Sequence, residues 1–168
     1  MRLGATIAMV ALAGCPMPRA RSELIEAGAN VPLLANGLPA PELCPEIARE
    51  YMSVLQLKPG DTASIEIDAN QFEREPLTVQ DGPIESLMLE RMGGLGGATR
   101  LYGRVWAGGP RVVIRYYRAQ HPTGGNPIPI CAVARAASGQ LEGKPGKTPG
   151  SAVLQYSSAL AFVVQDFL

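Results

Sequence analysis

Glycine and proline punctuate this chain so often, 19 and 15 times in 168 residues, that neither a long helix nor a long strand fits between them. Proline breaks a helix interior and removes a ladder hydrogen bond from a sheet, and glycine supplies the turn conformations that other residues avoid. What survives between the breaks is short. Ala63, Ile65 and Ile67 alternate with Ser64, Glu66 and Asp68, the period of a strand with one face buried. "REPLTVQDGP" and "IESLMLERM" read as two further strands parted at Asp81-Gly82-Pro83, the second equally compatible with a helix. "MGGLGGA" reads as a flexible hinge, and "TRLYGRVW", "AGGP" and "RVVIRYYRAQ" then form a hairpin. "IPICAVARA" follows the turn "HPTGGNP"; after a long turn-rich loop, "SAVLQYSSALAFVVQDFL" ends the chain as one bent strand or two. Ahead of them all, "CPEIAREYMSVLQL" has Pro45 at the first helical position, Glu46 in the first turn, and Ile47, Tyr51, Val54 and Leu55 at helical spacing. One helix and about six strands predict a mainly β fold, a small antiparallel sandwich or barrel with one N-terminal helix, spanning residues 42–168.

The first fifteen residues obey a different logic. Arg2 and the N-terminal amine precede an apolar run, Leu3 to Ala13, that is too short for the roughly 20 residues of a membrane-spanning helix. A basic start and a brief apolar stretch are the layout of an export signal; Pro16 and Pro18 would break a core helix there one turn later. Leu12-Ala13-Gly14-Cys15 resembles the bacterial lipobox. That resemblance implies a diacylglyceryl group on Cys15, cleavage of residues 1–14, and acylation, palmitate included, of the new amine. Several acyl chains hold a protein on a bilayer, whereas one gives marginal binding. By resemblance to enterobacterial sorting rules, Pro16 rather than Asp after the cysteine favours the outer membrane. Residues 15–41, with prolines near both ends and no sustained period, read as a flexible tether.

With Cys15 acylated, Cys44 and Cys131 remain of the three cysteines. In an oxidising envelope compartment they are expected to form a disulfide; the alternative is two separately buried thiols. No cysteine is then left for a nucleophile or a metal site. The 15 basic and 15 acidic side chains balance, which argues against a nucleic-acid-binding coat.

Several apparent motifs fail on inspection. In "GGLGGAT" the fingerprint starting at Gly94 meets Thr99 where its last glycine belongs, and it precedes a strand, not a helix. "LEGKPGKT" has Leu141 in place of the first P-loop glycine, and Pro145 removes an amide that a phosphate would need. "DANQFE" begins like a calcium loop at Asp68 and Asn70 but fails at Phe72. His121 is the single histidine, so no transition-metal set is expected. No serine-hydrolase or kinase motif is present in the sequence. The expectation is a protein without catalytic residues, metal or cofactor.

Charge is segregated along the chain. From Pro41 to Glu90 there are eleven acidic and three basic residues, whereas from Arg91 to Leu141 there are seven arginines and no acid. A four-residue hairpin loop, Ala107 to Pro110, would set Trp106 against Arg111, Arg104 against Val113, Tyr102 against Arg115 and Arg100 against Tyr117, all on one side of the sheet. Such a face of Arg100, Tyr102, Arg104, Trp106, Arg111, Arg115 and Tyr117 has two readings. As a platform it would bind an anionic envelope polysaccharide, arginine forks meeting carboxylates or phosphates. As bracing it would pair with the acids around Glu66 and Asp68. Bracing is the expectation.

The run "GATRLYGRVWAGGPRVVIRYYRAQHPTGGNPIPICAVA", with Cys44 upstream and "KPGKTPGSAV" after it, resembles a family of myxobacterial envelope lipoproteins without an established activity. The resemblance implies an envelope lipoprotein; the expectation for its role is a lipid-anchored, non-enzymatic module that binds or organises an envelope polymer or protein. "GATRLYGRV" and "HPTGG" are similar to the barrel domain of type IV secretion core channels, which implies the alternative of an oligomeric secretion or adhesion subunit. Replacing Cys15 with Ser is expected to release the protein from membranes and leave its signal uncut. A Cys15→Ser chain that still fractionates with membranes in a detergent-dependent way would contradict this.

Overall fold

Each alternating segment finds a partner, and the pairing continues until it meets itself. A computed structural model describes residues 27–168; the expected signal peptide and its lipobox Cys15 lie outside the described residues. In chain order the elements are β1 (Glu42–Leu43), α1 (Glu46–Val54), β2 (Thr62–Glu66), β3 (Leu77–Gln80), β4 (Gly82–Met88) and β5 (Arg100–Trp106). Then follow β6 (Val113–Gln120), β7 (Ile128–Arg135), β8 (Gly143–Pro145), β9 (Ser151–Leu154), β10 (Ser158–Val163) and β11 (Asp166–Phe167). Six strands close into a barrel in the order β10-β2-β4-β5-β6-β7, and β10 pairs β7 to complete it. Every pairing is antiparallel. A three-stranded sheet, β3-β9-β8, and the short β1-β11 pair complete the fold. Of sandwich and barrel, the structure selects the barrel.

Strand alternation divides the wall into two faces. Ile65, Met88, Leu101, Val105, Ile114 and Tyr116 are buried on the inner face. Burying one such side chain stabilises the fold by about 1.5–3 kcal/mol, and together they fill the lumen. Within it the Ser86 hydroxyl donates to the Ile67 carbonyl. With its one proton spent, Ser86 Oγ accepts from the Tyr116 hydroxyl 2.7 Å away. Burial pushes the Tyr116 phenol far above its ordinary pKa, so it stays a neutral donor.

Helix α1 lies on the outside of β7 but not by the face its apolar spacing suggests. Ala48 and Met52 are its buried residues, whereas Ile47, Tyr51 and Val54 are exposed. The helix is held close by Cys44, just before it, bonded to Cys131 on β7 with 6.0 Å between Cα atoms. At that approach the small Ala48 fits against the sheet, and Met52 Sδ accepts the Cys131 amide at 3.2 Å.

The expected hinge "MGGLGGA" is tied to the end of this helix. Gly94 N donates to the Leu55 carbonyl at 2.7 Å, Met92 and Leu95 are buried, and a Cβ on Gly93, whose φ is +55°, would stand 2.6 Å from that carbonyl oxygen. Folded structure also begins before the expected boundary at residue 42. Residues 32–40 form a small hairpin in which Leu34 N donates to Leu38 O and Ala40 N to Pro32 O, each at 2.8 Å, and Pro39 is buried against the barrel. The final segment, expected as one strand or two, contains three, and β8 rises within the turn-rich loop.

The disulfide closes a loop with a sequence separation of 87, which in the chain-entropy account stabilises by about 4 kcal/mol. Replacing both Cys44 and Cys131 with Ala is expected to lower unfolding free energy by about that much in urea titrations. Peptide mapping without reductant should recover the linked pair, and two alkylatable thiols in the native protein would contradict the bond.

Candidate functional site

The arginine-aromatic strands meet in a different register from the expected one. Trp106 stands opposite Val113, Arg104 opposite Arg115, Tyr102 opposite Arg118 and Arg100 opposite Gln120. Two local features cause the shift. Val112, just before β6, bridges to Leu141 instead of pairing with β5, so the hairpin loop runs from 107 to 112, and the Asp81 carboxylate holds its start by accepting the Ala107 amide. A bulge at Tyr102/Gly103 then offsets the strands. Backbones crowd there, and a Cβ on Gly103 would fall 2.0 Å from the Arg115 carbonyl oxygen.

This register sets two arginines directly opposite each other, an arrangement that is repulsive on a free surface. The fold resolves it by treating them differently. Arg104 stays half-buried. Arg115 is 1% exposed, turned under the 32–40 hairpin. Its guanidinium donates to Ala40 O at 3.0 Å and to Pro39 O at 3.4 Å and lies 3.5 Å from Glu42 Oε2. Trp106 and Phe167 present their rings to it at 5.4 and 5.2 Å, contacts that strengthen when water is excluded. Tyr117 donates to the same Glu42 oxygen at 2.9 Å and packs its ring against Phe167. Its pKa is pushed well above the usual phenol value, by burial first and then by the Glu42 charge.

Elsewhere on the expected face, Arg100 pairs with Glu85 on β4, and the Tyr102 hydroxyl donates to Gln120 Oε1 at 2.7 Å. The acids that answer the arginines are therefore Glu42 and Glu85. The expected partners do not: Asp68 accepts from Asn70 N and Gln71 Nε2, and buried Glu66 keeps Oε2 without a hydrogen-bond partner. Seven residues foreseen as one face are thus divided. Arg115, Trp106 and Tyr117 brace; Arg100 and Tyr102 make lateral contacts; Arg104 and Arg111 remain without an ion pair among the described residues.

Arg111 leads to a recess on the surface. A cleft of about 450 Å³ opens over the outer side of β6, β7 and β10, with Arg111 and Arg135 among its lining residues. Val133 and Phe162, paired across β7 and β10, also line it. Arg135 stacks its guanidinium 4.3 Å above the Phe162 ring, which fixes the planar group while leaving its N–H edges available. Arg111 Nε is buried and has no hydrogen-bond partner. Asp166 also lines the cleft, but its Oδ1 is engaged by the Cys44 amide at 2.9 Å. Arg111 was foreseen as a ligand-binding residue; Arg135 and Phe162 were not. Their meeting depends on the β7–β10 pairing, which no local sequence period specifies.

Lys147 and Thr148 lie in the turn between β8 and β9, where Thr148 N donates to Ser151 Oγ and Gly146 N to Ser151 O. Among the described residues no three His, Cys, Asp or Glu side chains gather to hold a metal, and no helix is long and apolar enough to cross a membrane. No protein-family model and no curated protein matches the chain.

Arg115→Ala is expected to cost about 3 kcal/mol or more in chemical denaturation, since it leaves Glu42 and two carbonyls without their buried donor. Arg104→Ala, half-exposed and unpaired, should stay within about 0.5 kcal/mol of wild type. Equal losses would contradict the bracing role of Arg115.

Proposed function

We propose that this chain is a non-enzymatic, lipid-anchored envelope lipoprotein whose barrel domain binds an anionic envelope polymer in the Arg111–Arg135 cleft. The lipobox-like Cys15 supports the anchor, the outer membrane being its expected location. The observation that carries the binding role is the state of the two cations lining the cleft. Arg111 has a buried Nε without a partner, and Arg135 is held by an aromatic ring instead of an acid. An unanswered guanidinium in a recess gains most from a ligand carrying carboxylates or phosphates, which it can bind through paired N–H groups. Phe162 adds an apolar surface of the kind on which sugar rings stack. A lumen filled by side chains leaves this outer cleft, rather than the barrel interior, as the place for such a ligand.

The alternative reading, a subunit of a secretion or adhesion assembly, would rely on strands added between protomers. The closed barrel offers no free edge for that; of the two edges of the small sheet, β8 carries Lys144 and Pro145, both of which discourage strand addition, which leaves the four-residue β3 as the edge such an assembly would have to use. We therefore favour the binding module.

Titration with lipopolysaccharide or an acidic exopolysaccharide is expected to show saturable binding that weakens as salt rises. Arg111→Ala combined with Arg135→Ala should reduce affinity at least tenfold with little change in melting temperature, and Arg104→Ala should leave affinity unchanged. A wild-type domain that binds neither polymer overturns the proposed ligand class.

A further inference from the structure

The apolar stripe of α1 does not enter the core. Ile47, Tyr51 and Val54 are between 41% and 81% exposed, and spacings of four and three residues are those that bring side chains to one side of a helix; Leu43, on β1 just before α1, is 75% exposed. Single exposed apolar residues are ordinary, but three on one side of a helix mark a surface that meets something apolar. The point where the described chain begins indicates what that is. Ala27 lines the same hollow as Pro45, Ile47 and Ala48, so the N-terminal segment reaches the domain at the start of α1. Only eleven residues separate Cys15 from Ala27, twelve Cα steps that span at most about 43 Å even when fully extended. A lipid on Cys15 would therefore hold the domain within that distance of the bilayer by an attachment on this side.

We propose that the Ile47-Tyr51-Val54 edge of α1 seats on the lipid surface, as a second, non-covalent contact that orients the barrel. The proposal rests on the reading that Cys15 is lipidated. Its acidic neighbours Glu46 and Glu50 suit a bilayer without strong negative charge, in the manner of interfacial helices that bury one apolar side among headgroups. Seated in this way, α1 puts β7 on the bilayer side; β4 lies three places round the six-stranded wall, and its Gly82 end, with Thr78 of β3 beside it, points away from the glycine loop tied to α1.

The test uses the full lipidated chain, reconstituted into phosphatidylcholine vesicles containing a nitroxide-labelled lipid. With Cys15 acylated and Cys44 bonded to Cys131, Tyr51→Cys and, as a control, Thr78→Cys on β3 each introduce one thiol for an environment-sensitive fluorophore. Unmodified chain, treated in parallel, shows whether Cys15 is blocked, and vesicle flotation shows whether the anchor holds. The expected result is at least twofold stronger quenching at position 51 than at 78, abolished by Ile47→Glu with Val54→Glu while flotation persists. Equal or absent quenching at the two positions in floating protein overturns the seated helix and leaves the anchor standing. Shielding of the label at position 51 in lipid-free protein also overturns it, in favour of a second copy if the shielding depends on concentration, or of residues 16–26 if it does not. Failure to float, with Cys15 labelled in the unmodified chain, removes the anchor and the proposal with it.

Discussion

A guanidinium taken almost wholly out of water organises the outside of this barrel. Dehydrating such a charge costs several kcal/mol, and only well-placed partners offset that. Arg115 has them on every side: the Pro39 and Ala40 carbonyls, the Glu42 carboxylate, and the Trp106 and Phe167 rings. They come from the hairpin before the domain, from β1, from β5 and from β11. The first and last parts of the folded chain are thus assembled around one side chain from the middle. Tyr117 reinforces the cluster by sharing Glu42, and its raised pKa follows from the same dryness.

The strand content was legible because period-two alternation and Gly/Pro punctuation are local properties. Choosing a barrel over a sandwich was not, since closure rests on β10 meeting both β2 and β7, pairings between distant segments. The helix shows the converse difficulty. Its position was plain, but its buried side follows Ala48 and Met52 instead of the larger Ile47, Tyr51 and Val54. Close approach to β7, set by the disulfide, outweighs apolar area there. The cysteine pairing itself was legible by elimination once Cys15 was assigned elsewhere.

The candidate site was half visible. Arginines interleaved with aromatics announced a cationic cluster, and bracing was the favoured reading for it, which Arg115 exemplifies. The pairing depended on a loop two residues longer than "AGGP" and on a bulge at Gly103, and neither has a strong local signature. The Arg135–Phe162 contact was hidden for the same reason as the barrel closure that creates it.

The β1–β11 pair and the Cys44–Cys131 bond also determine how the molecule bears force. A pull on the segment preceding residue 42 first meets the Arg115 cluster and the two-residue clip of β1 on β11. Beyond these it reaches Cys44 and crosses a covalent bond directly into β7, a strand paired on both sides in the wall. Tension then divides between two neighbouring strands in place of peeling the chain from one end. Helix α1 and the glycine loop behind it lie off that line of load and stay slack while the barrel wall carries it.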